Sequence, residues 1–392
     1  MRMGGKPKRE KTTAADLPEE LIRREILTRL PVRSLVRFKS VSKSWLSLLS
    51  EPQFIKQHLT HSATQIPNDC LVAKRNTKLI ILSRHEERVA LDSTHYFEVV
   101  GCVCGLVCLA SFHMLSLWNP ATHRSKEIFA PVCRADRKYD IGFGFDPVSD
   151  IYKLVILSDD LKSAMVYYSN SGDWIDISVP GNVCADFSGT RSTNRVTIVK
   201  DCPYWAFRRY PKDEHMNGTN CLIALKFDAV CDEFKLMPGF FCDEVGGFEF
   251  VDMNGCLTLI VREYDDKYPF SKLMLNLFSL DGEEGCCVWT KMYTIGPFNR
   301  GFEVVQGFSG GEIVFSDRGK FCFYDHKTDR IYKILNTSSA TTADSRISCF
   351  RYTPSLAFIE GMESAFYSTI RTRRTRVQYS RVPQGLINAL KH

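Results

Sequence analysis

Cysteine is the residue type most able to do chemistry here, because fifteen of the 392 residues are Cys. The tightest cluster is Cys102, Cys104 and Cys108 in CVCGLVC. A zinc site needs paired spacings of the CxxC kind and a second pair elsewhere. This run instead alternates as a strand would, which puts the three thiols on one face of an apolar segment. Cys108 in GLVCLA and Cys322 in KFCFYD also lie inside apolar runs, where a free thiol behaves as a small hydrophobe. The nine histidines are scattered, and none stands at HxxxH or HExxH spacing. His58 and His61 read as a helical or surface pair. GFGFDP at 142–147 lacks the third glycine and following helix of a dinucleotide loop, so it reads as a strand and a turn. Asp159-Asp160 and Asp265-Asp266 read as solvated turns. There is no nucleophile elbow and no P-loop. No catalytic constellation, metal site or cofactor is expected.

An odd number of cysteines with no secretory signal points to reduced thiols in the cytoplasm or nucleus. The basic N-terminus MRMGGKPKREK is followed by no apolar run, and no stretch of about 18 apolar residues suggests a membrane helix. Net charge is +6, but it sits at the ends. Residues 1–11 carry +4 and residues 371–392 carry +6, which leaves −4 on residues 12–370. A nucleic-acid binder would need a basic face on the folded body, and this body has no such excess. The ends read as solvated basic tails, 1–13 and 361–392.

One stretch differs from the rest. From Asp16 to Phe54, Leu21, Ile22, Ile26 and Leu30 recur at helical spacing. Asp16 can cap the helix and Pro18 suits its first turn. Pro31 ends it. A second helix is expected over about 33–39 and a third over about 42–49, with Pro52 opening a fourth turn. Residues 56–69 show no period and read as a linker. Three short helices cannot bury this much apolar surface among themselves. The surplus faces either a partner or the remainder of the chain, and periodicity alone leaves both open.

The segment LPEELIRREILTRLPVRSLVRFKSVSKSWLSLLSEPQFIKQH resembles an F-box, the module that docks on the Skp adaptor of Skp–cullin–F-box ubiquitin ligases. The LP start, the EILTRLPVRSL centre and the VSKSW segment occur in order. By position, the resemblance implies adaptor contacts at Leu17, Pro18, Leu21, Ile26, Leu30, Pro31, Val32, Leu35, Val41 and Trp45. Trp45 is the expected aromatic anchor.

From Cys70 onward short strands and polar turns replace helical periodicity. One unit recurs: an apolar strand ending in an aromatic, a polar turn, then a second strand. Its markers Trp118, Tyr168, Phe227, Phe278 and Tyr324 are spaced by 50, 59, 51 and 46 residues. A period of about 50 fits four strands per propeller blade. Glycine-containing strands (GLVCLA, NGCLTLIV, GGEIVF) would let strands crowd near the axis. Five units are clear. Pairing ISCFRYTPSLAFI, at 347–359, with the strands of 70–92 makes a sixth blade and closes the ring.

GLVCL, LWNPATHRSKEI, YDIGFGFDPVSDIYKLV and YTPSL resemble the plant F-box-associated domain, often described with kelch-like propellers. The expected architecture is therefore α+β and multidomain. A helical F-box (14–60) and a linker (61–69) precede an all-β propeller (70–360), six-bladed and closed by its terminal strands. The resemblance implies a substrate-recognition subunit that reaches a cullin through its adaptor and presents a protein target, in the nucleus or cytoplasm. The alternatives are an adaptor-binding regulator without a degradation role, or a propeller that binds carbohydrate or a small molecule. Candidate target-binding loops are 158–164, 208–220, 239–247 and 262–271, with Arg208, Arg209 and Tyr210 in the most charged.

Overall fold

The computed structural model describes residues 19–364, apart from 65–69, 76, 84–85, 93–96, 112–113, 132–138, 182–189, 210–219, 243–246, 266–271, 283–286, 299–302, 308–311, 318–319, 329 and 334–348, and also residues 375–376. The basic N-terminal tail, with Leu17 and Pro18, lies outside these.

The helical region opens with α1 (Glu19–Leu21), continued by a wide turn at Ile22–Ile26 and a tight one at Leu27–Arg29. Leu30 then becomes extended (φ −81°, ψ 144°). Pro31 follows as the residue preceding α2 (Val32–Phe38), so it starts one helix as well as ending another. α3 (Lys43–Leu48) is capped by Ser42, whose Oγ accepts the Trp45 N–H at 3.2 Å, satisfying one orphan donor of the first turn. α4 (Pro52–Thr64) overturns the expectation of a linker from residue 56. Only Phe54 and His58 of that helix are buried. One is an isolated aromatic and the other a polar type, so the sequence shows no stripe. His58 Nε2 donates to the Leu30 carbonyl at 2.9 Å, and burial lowers the pKa of its ring.

The strands form six antiparallel sheets. The first contains β1 (Cys70–Arg75), β2 (Lys78–Leu82) and β3 (Glu86–Asp92). The second contains β4 (Glu98–Val103), β5 (Leu106–Ala110), β6 (Met114–Asn119) and β7 (Arg124–Phe129). β8 (Tyr139–Asp146), β9 (Ile151–Ser158), β10 (Ser163–Tyr168) and β11 (Trp174–Ser178) make the third. The fourth holds β12 (Thr190–Val199), β13 (Cys202–Arg209), β14 (Asn220–Asp228), β15 (Glu233–Leu236) and β16 (Phe240–Cys242). β17 (Gly247–Met253), β18 (Cys256–Asp265), β19 (Lys272–Asp281) and β20 (Val288–Phe298) form the fifth. β21 (Glu303–Gly307), β22 (Ile313–Asp317), β23 (Lys320–Asp325) and β24 (Arg330–Lys333) form the sixth.

Three late strands join earlier sheets. β25 (Cys349–Tyr352) pairs with β1, placing Cys70 opposite Tyr352 and Val72 opposite Phe350. β26 (Glu363–Ser364) extends the second sheet beyond β7, and β27 (Thr375–Arg376) extends the first beyond β3. The region read from sequence as a tail from 361 onward thus supplies two short edge strands. In space β4 lies against β8, β8 against β12, β12 against β17, β17 against β21, β21 against β25, and β25 against β4. The protein is a small helical region followed by a β-propeller.

The repeat read from sequence is the outer half of a blade: third strand, turn, fourth strand. Its turns share one chemistry. Asn119, Asp228 and Asp325 each turn a side-chain oxygen onto the backbone N–H two residues on, at 2.9, 3.1 and 2.9 Å. Such Asx turns are why the position after the aromatic marker is so often Asn or Asp. The close strand approach expected of glycines in second strands occurs in first strands instead. A Cβ on Gly142 of β8 would stand 2.6 Å from the Trp205 ring.

Asp228 makes a test of these turns. Burial opposes its ionisation, but Lys226 (3.0 Å), Lys235 (3.3 Å) and the Val230 N–H outweigh it and hold the carboxyl at about 2 against its ordinary 3.8. A depressed pKa contributes stability that is present above the ordinary value and lost as pH falls through the folded one. The urea midpoint should therefore fall between pH 3.8 and 2. Asp228→Asn should flatten that fall, and an unchanged slope in the variant would refute the assignment.

Candidate functional site: two rims and a helical module

Strands within each sheet run antiparallel to their neighbours in chain order, with β25 standing as first strand before β1 in the first sheet, so the connections segregate. Turns between first and second strands, and between third and fourth, emerge at one rim. Turns between second and third strands, and between one sheet and the next, emerge at the other. The helical module touches only the first rim in three places that the structure records. Ala121, in the β6–β7 turn, and Leu356, just past β25, pack with its core. The Lys56 Nζ donates to the carbonyl of Pro147, in the β8–β9 turn, at 3.2 Å.

That contact divides the apolar residues of the module. Leu27, Val32, Leu35, Leu49 and Phe54 are buried together with Leu356. Of the expected adaptor contacts, Val32 and Leu35 are therefore interior residues: the turn at Pro31 points α2's first face at the propeller, and sequence carries no sign of that. Leu30 and Trp45 are half-buried against the same cluster. Trp45 meets Phe38 edge-on, with ring centroids 5.2 Å apart. Leu21, Ile26, Pro31 and Val41 are exposed, Val41 at 65%. The structure adds Val36 and Leu46 to the exposed set; sequence reasoning missed them because they lie off the motif's fixed positions.

The strand ends that flank the four candidate loops lie at the far rim, and 210–219, 243–246 and 266–271 lie outside the described residues. Three of them are cut short by strands, 239–247 by β16 and the start of β17. Arg208 and Arg209 end β13 rather than lying in a loop, paired with Arg191 and Thr190 of β12; Tyr210 lies outside the described residues. Residues 262–265 likewise belong to β18. The turn at 158–163 is as expected, with Asp160 accepting from Ser158 Oγ at 2.7 Å. Three exposed aromatics stand at this rim: Phe241 in β16 and Tyr264 near the end of β18, both inside candidate loops, and Phe129 at the end of β7, which sequence reasoning missed.

Groups singled out for chemistry are structural. Cys102 is in β4, Cys104 is in the β4–β5 turn (φ 46°) and Cys108 is in β5 opposite Gly101. The three thus straddle a hairpin corner instead of sharing one strand face, since the turn at Cys104-Gly105 interrupts the alternation. Burial pushes the thiols of Cys102 and Cys104 well up, so neither is a ready nucleophile. GFGFDP is the end of β8 and its turn. Among the described residues no group of three or more His, Cys, Asp or Glu is placed to hold a metal ion, and no helix is long and apolar enough to cross a membrane.

Residues 15–57 match the F-box domain and residues 50–177 match the F-box associated beta propeller domain. The F-box/kelch-repeat protein At3g23880 of Arabidopsis thaliana is 28% identical over 313 residues, covering 68% of this chain and 81% of its own length. At3g10240 of the same plant, also named as an F-box protein, is 31% identical over 294 residues, covering 67% and 69%. Among solved structures, an oligogalacturonate lyase in complex with manganese aligns with 66% of this chain at 12% identity and a TM-score of only 0.37, too distant to bear on fold or function. A helical module matching the F-box, docked on a matching propeller, places this chain among the F-box proteins that carry an F-box-associated β-propeller domain.

Proposed function

We propose that this chain is the substrate-recognition subunit of a Skp–cullin–F-box ubiquitin ligase. F-box proteins as a family are typically non-catalytic adaptors, and an F-box implies binding of a Skp-type adaptor. On this reading the adaptor docks on Leu21, Ile26, Pro31 and Val41, joined by Val36 and Leu46 and by the free edges of Leu30 and Trp45. Leu17 and Pro18, outside the described residues, are assigned to the adaptor by the F-box resemblance alone. The observation that carries the reading is this exposed apolar set on a module whose other apolar residues are already buried against the propeller. Apolar residues left outside a completed core mark an interaction site.

The propeller, in this proposal, is a closed ring of six blades. Support comes from the six sheets, from the pairing of β25 with β1, and from first strands that each lie against the next. A ring without open ends is a rigid platform for loops. The target protein binds the rim away from the F-box, where Phe129, Phe241 and Tyr264 supply aromatic contacts beside the candidate loops. No active site is needed for such a subunit. Holding a target near a charged conjugating enzyme raises its effective concentration. The place of action is the nucleus or cytoplasm.

Ile26→Asp and Val41→Asp test the docking surface without touching the core. Each should weaken co-purification with a Skp-type adaptor by roughly 100-fold, the effect of removing a central interface contact, while the melting temperature stays near wild type. Undiminished binding in both would sink the docking assignment. Recruitment of a cullin to the complex separates a ligase subunit from an adaptor-binding regulator.

A further inference from the structure

Two propeller residues pack into the core of the helical module, Ala121 from the β6–β7 turn and Leu356 from the segment after β25. One side chain holds both. Asn119 ends β6 and is fully buried. Its Oδ1 accepts the N–H groups of Ala121 at 2.9 Å and of Thr122 at 3.3 Å. Its Nδ2 donates to the carbonyls of Ser355 at 3.1 Å and Ala357 at 2.8 Å, on either side of Leu356. The amide thus uses both its donors and both its acceptor sites. Ser355 is also fully buried; its Oγ donates to the Cys104 carbonyl at 3.1 Å and accepts the Ala357 N–H, also at 3.1 Å. Gly105, at φ +80°, makes room for it, because a Cβ there would stand 2.1 Å from the Ser355 Oγ. Further on, the Phe358 ring lies 5.4 Å from the Arg124 guanidinium, and β26 then joins the outer edge of the same sheet. Residues 353–364 are therefore a strap that crosses the second sheet from its inner strand to its outer one, with Leu356 raised into the module.

Turn chemistry alone does not ask for an amide at this position. Asp228 and Asp325 make the equivalent turn in the fourth and sixth sheets with a carboxylate oxygen. Their second oxygen accepts, from Lys226 and Lys235 in one case and from the Thr328 hydroxyl in the other. At Asn119 the corresponding atom must donate, because it faces two carbonyls. We propose that Asn119 is a positioning residue for ubiquitin transfer: through the strap and the β6–β7 turn it fixes the angle between the adaptor-binding module and the target-binding rim. Its role in transfer rests on the ligase reading above, whereas the angle it sets does not. A third contact, the Lys56 ammonium on the Pro147 carbonyl, hangs on a flexible four-carbon stem and fixes no angle. Transfer depends on holding a target lysine near the conjugating enzyme, and a module free to swing lowers that effective concentration.

Asn119→Asp separates the two roles, since a carboxylate keeps the turn but repels the two strap carbonyls. Asp325→Asn makes the reciprocal change at a turn that holds no strap. The readout is the distance between nitroxide amino acids encoded in the full chain at exposed Thr60 of α4 and exposed Lys162 of the far rim, measured by double electron–electron resonance at pH 8. Wild type and Asp325→Asn should each give one narrow distribution, and Asn119→Asp should roughly double its width. Without the labels, Asn119→Asp should bind a Skp-type adaptor within about 2-fold of wild type, because the docking residues are untouched and distant changes act independently. A lowered melting temperature with no widening would reduce Asn119 to a stabilising residue and overturn the proposal, as would equal widening in Asp325→Asn. In a ligase reconstituted with adaptor and cullin, wild type should carry ubiquitin on a restricted set of its own lysines, and Asn119→Asp on a broader set. An unchanged set would overturn the role in transfer. Failure of wild type to bind adaptor would count against the ligase reading instead, and the distance measurement would still decide whether Asn119 sets the angle. If Asn119→Asp does not fold, Asn119→Ser is read by the same criteria: its hydroxyl keeps an acceptor for the turn and is too short to reach both carbonyls.

Discussion

Replacing Phe54 with Ala should cost the helical module about 3–5 kcal/mol, the usual penalty for truncating a fully buried phenylalanine. Phe54 is completely buried among Leu27, Val32, Leu35, Leu49 and Leu356. Its ring also stacks on His58 at 6.3 Å between centroids, and His58 in turn holds the Leu30 carbonyl. A module this small has only a few kcal/mol to lose. Phe54→Ala should therefore unfold residues 19–64 and leave the propeller standing. Hydrogen exchange by mass spectrometry reads this directly: protection lost in α2, α3 and α4 but kept in β9 and β18. Loss spread evenly over both parts, or no loss, would show that the two share one cooperative core. The same logic separates two kinds of adaptor-binding defect. Trp45→Ala strips the edge contact to Phe38 and weakens the module itself, so reduced adaptor binding in that variant would not locate the docking surface. Val41→Asp would.

The second large effect belongs to the propeller. Lys153 in β9 is almost fully buried, with Nζ 2.7 Å from Asp232 Oδ1 and 4.0 Å from Asp146. Tyr168 donates its hydroxyl to the other Asp232 oxygen at 2.9 Å and lies 5.1 Å beneath the ammonium. Asp232 comes from the β14–β15 turn, so this network ties the third sheet to the fourth. Asp232→Asn keeps the turn, because Asn tolerates the left-handed backbone at φ 58°, and it keeps an acceptor for Tyr168. It removes the charge that compensates a buried ammonium. A cost of about 3 kcal/mol is expected, the low end for breaking a buried pair because Asp146 remains. Lys153→Met/Asp232→Asn should recover most of it, since no uncompensated cation is then buried. Urea unfolding measures both. A double variant no better than the single would mean that packing, not charge, dominates the site.

What the sequence disclosed follows from where local chemistry and global fold agree. The third-strand, turn, fourth-strand unit was legible because its Asn or Asp makes an Asx turn whose chemistry is entirely local. The helical module was legible through its apolar spacing, its prolines and its match to a known motif. First strands were harder: β4 and β8 are flanked by other sheets, so they carry continuous apolar runs and glycines without alternation. α4 escaped because its buried face amounts to Phe54 and His58. The division of Leu21, Ile26 and Val41 from Val32 and Leu35 was not legible at all, since it depends on Ala121 and Leu356, residues distant in sequence. The same is true of the rims. Strand order fixes which loops share a side, but only the contacts of Lys56 and Ala121 say which side the module occupies. Arg208 and Arg209 were misplaced because charged residues at strand ends look like loop.

Leu356 has a consequence for biosynthesis. The F-box leaves the ribosome first, yet the side chain that seals its core lies just beyond β25, the strand that also completes the first sheet. About 300 residues separate the two, which at ordinary elongation rates is of the order of 15–60 seconds. During that interval the nascent chain holds an unsealed helical module and a first sheet with an open edge at β1, both sticky surfaces for chaperones. A message cut short anywhere before β25 yields a product lacking both closures at once. Adaptor docking and target presentation would fail together, so a truncated receptor would not occupy adaptor that it could not put to use.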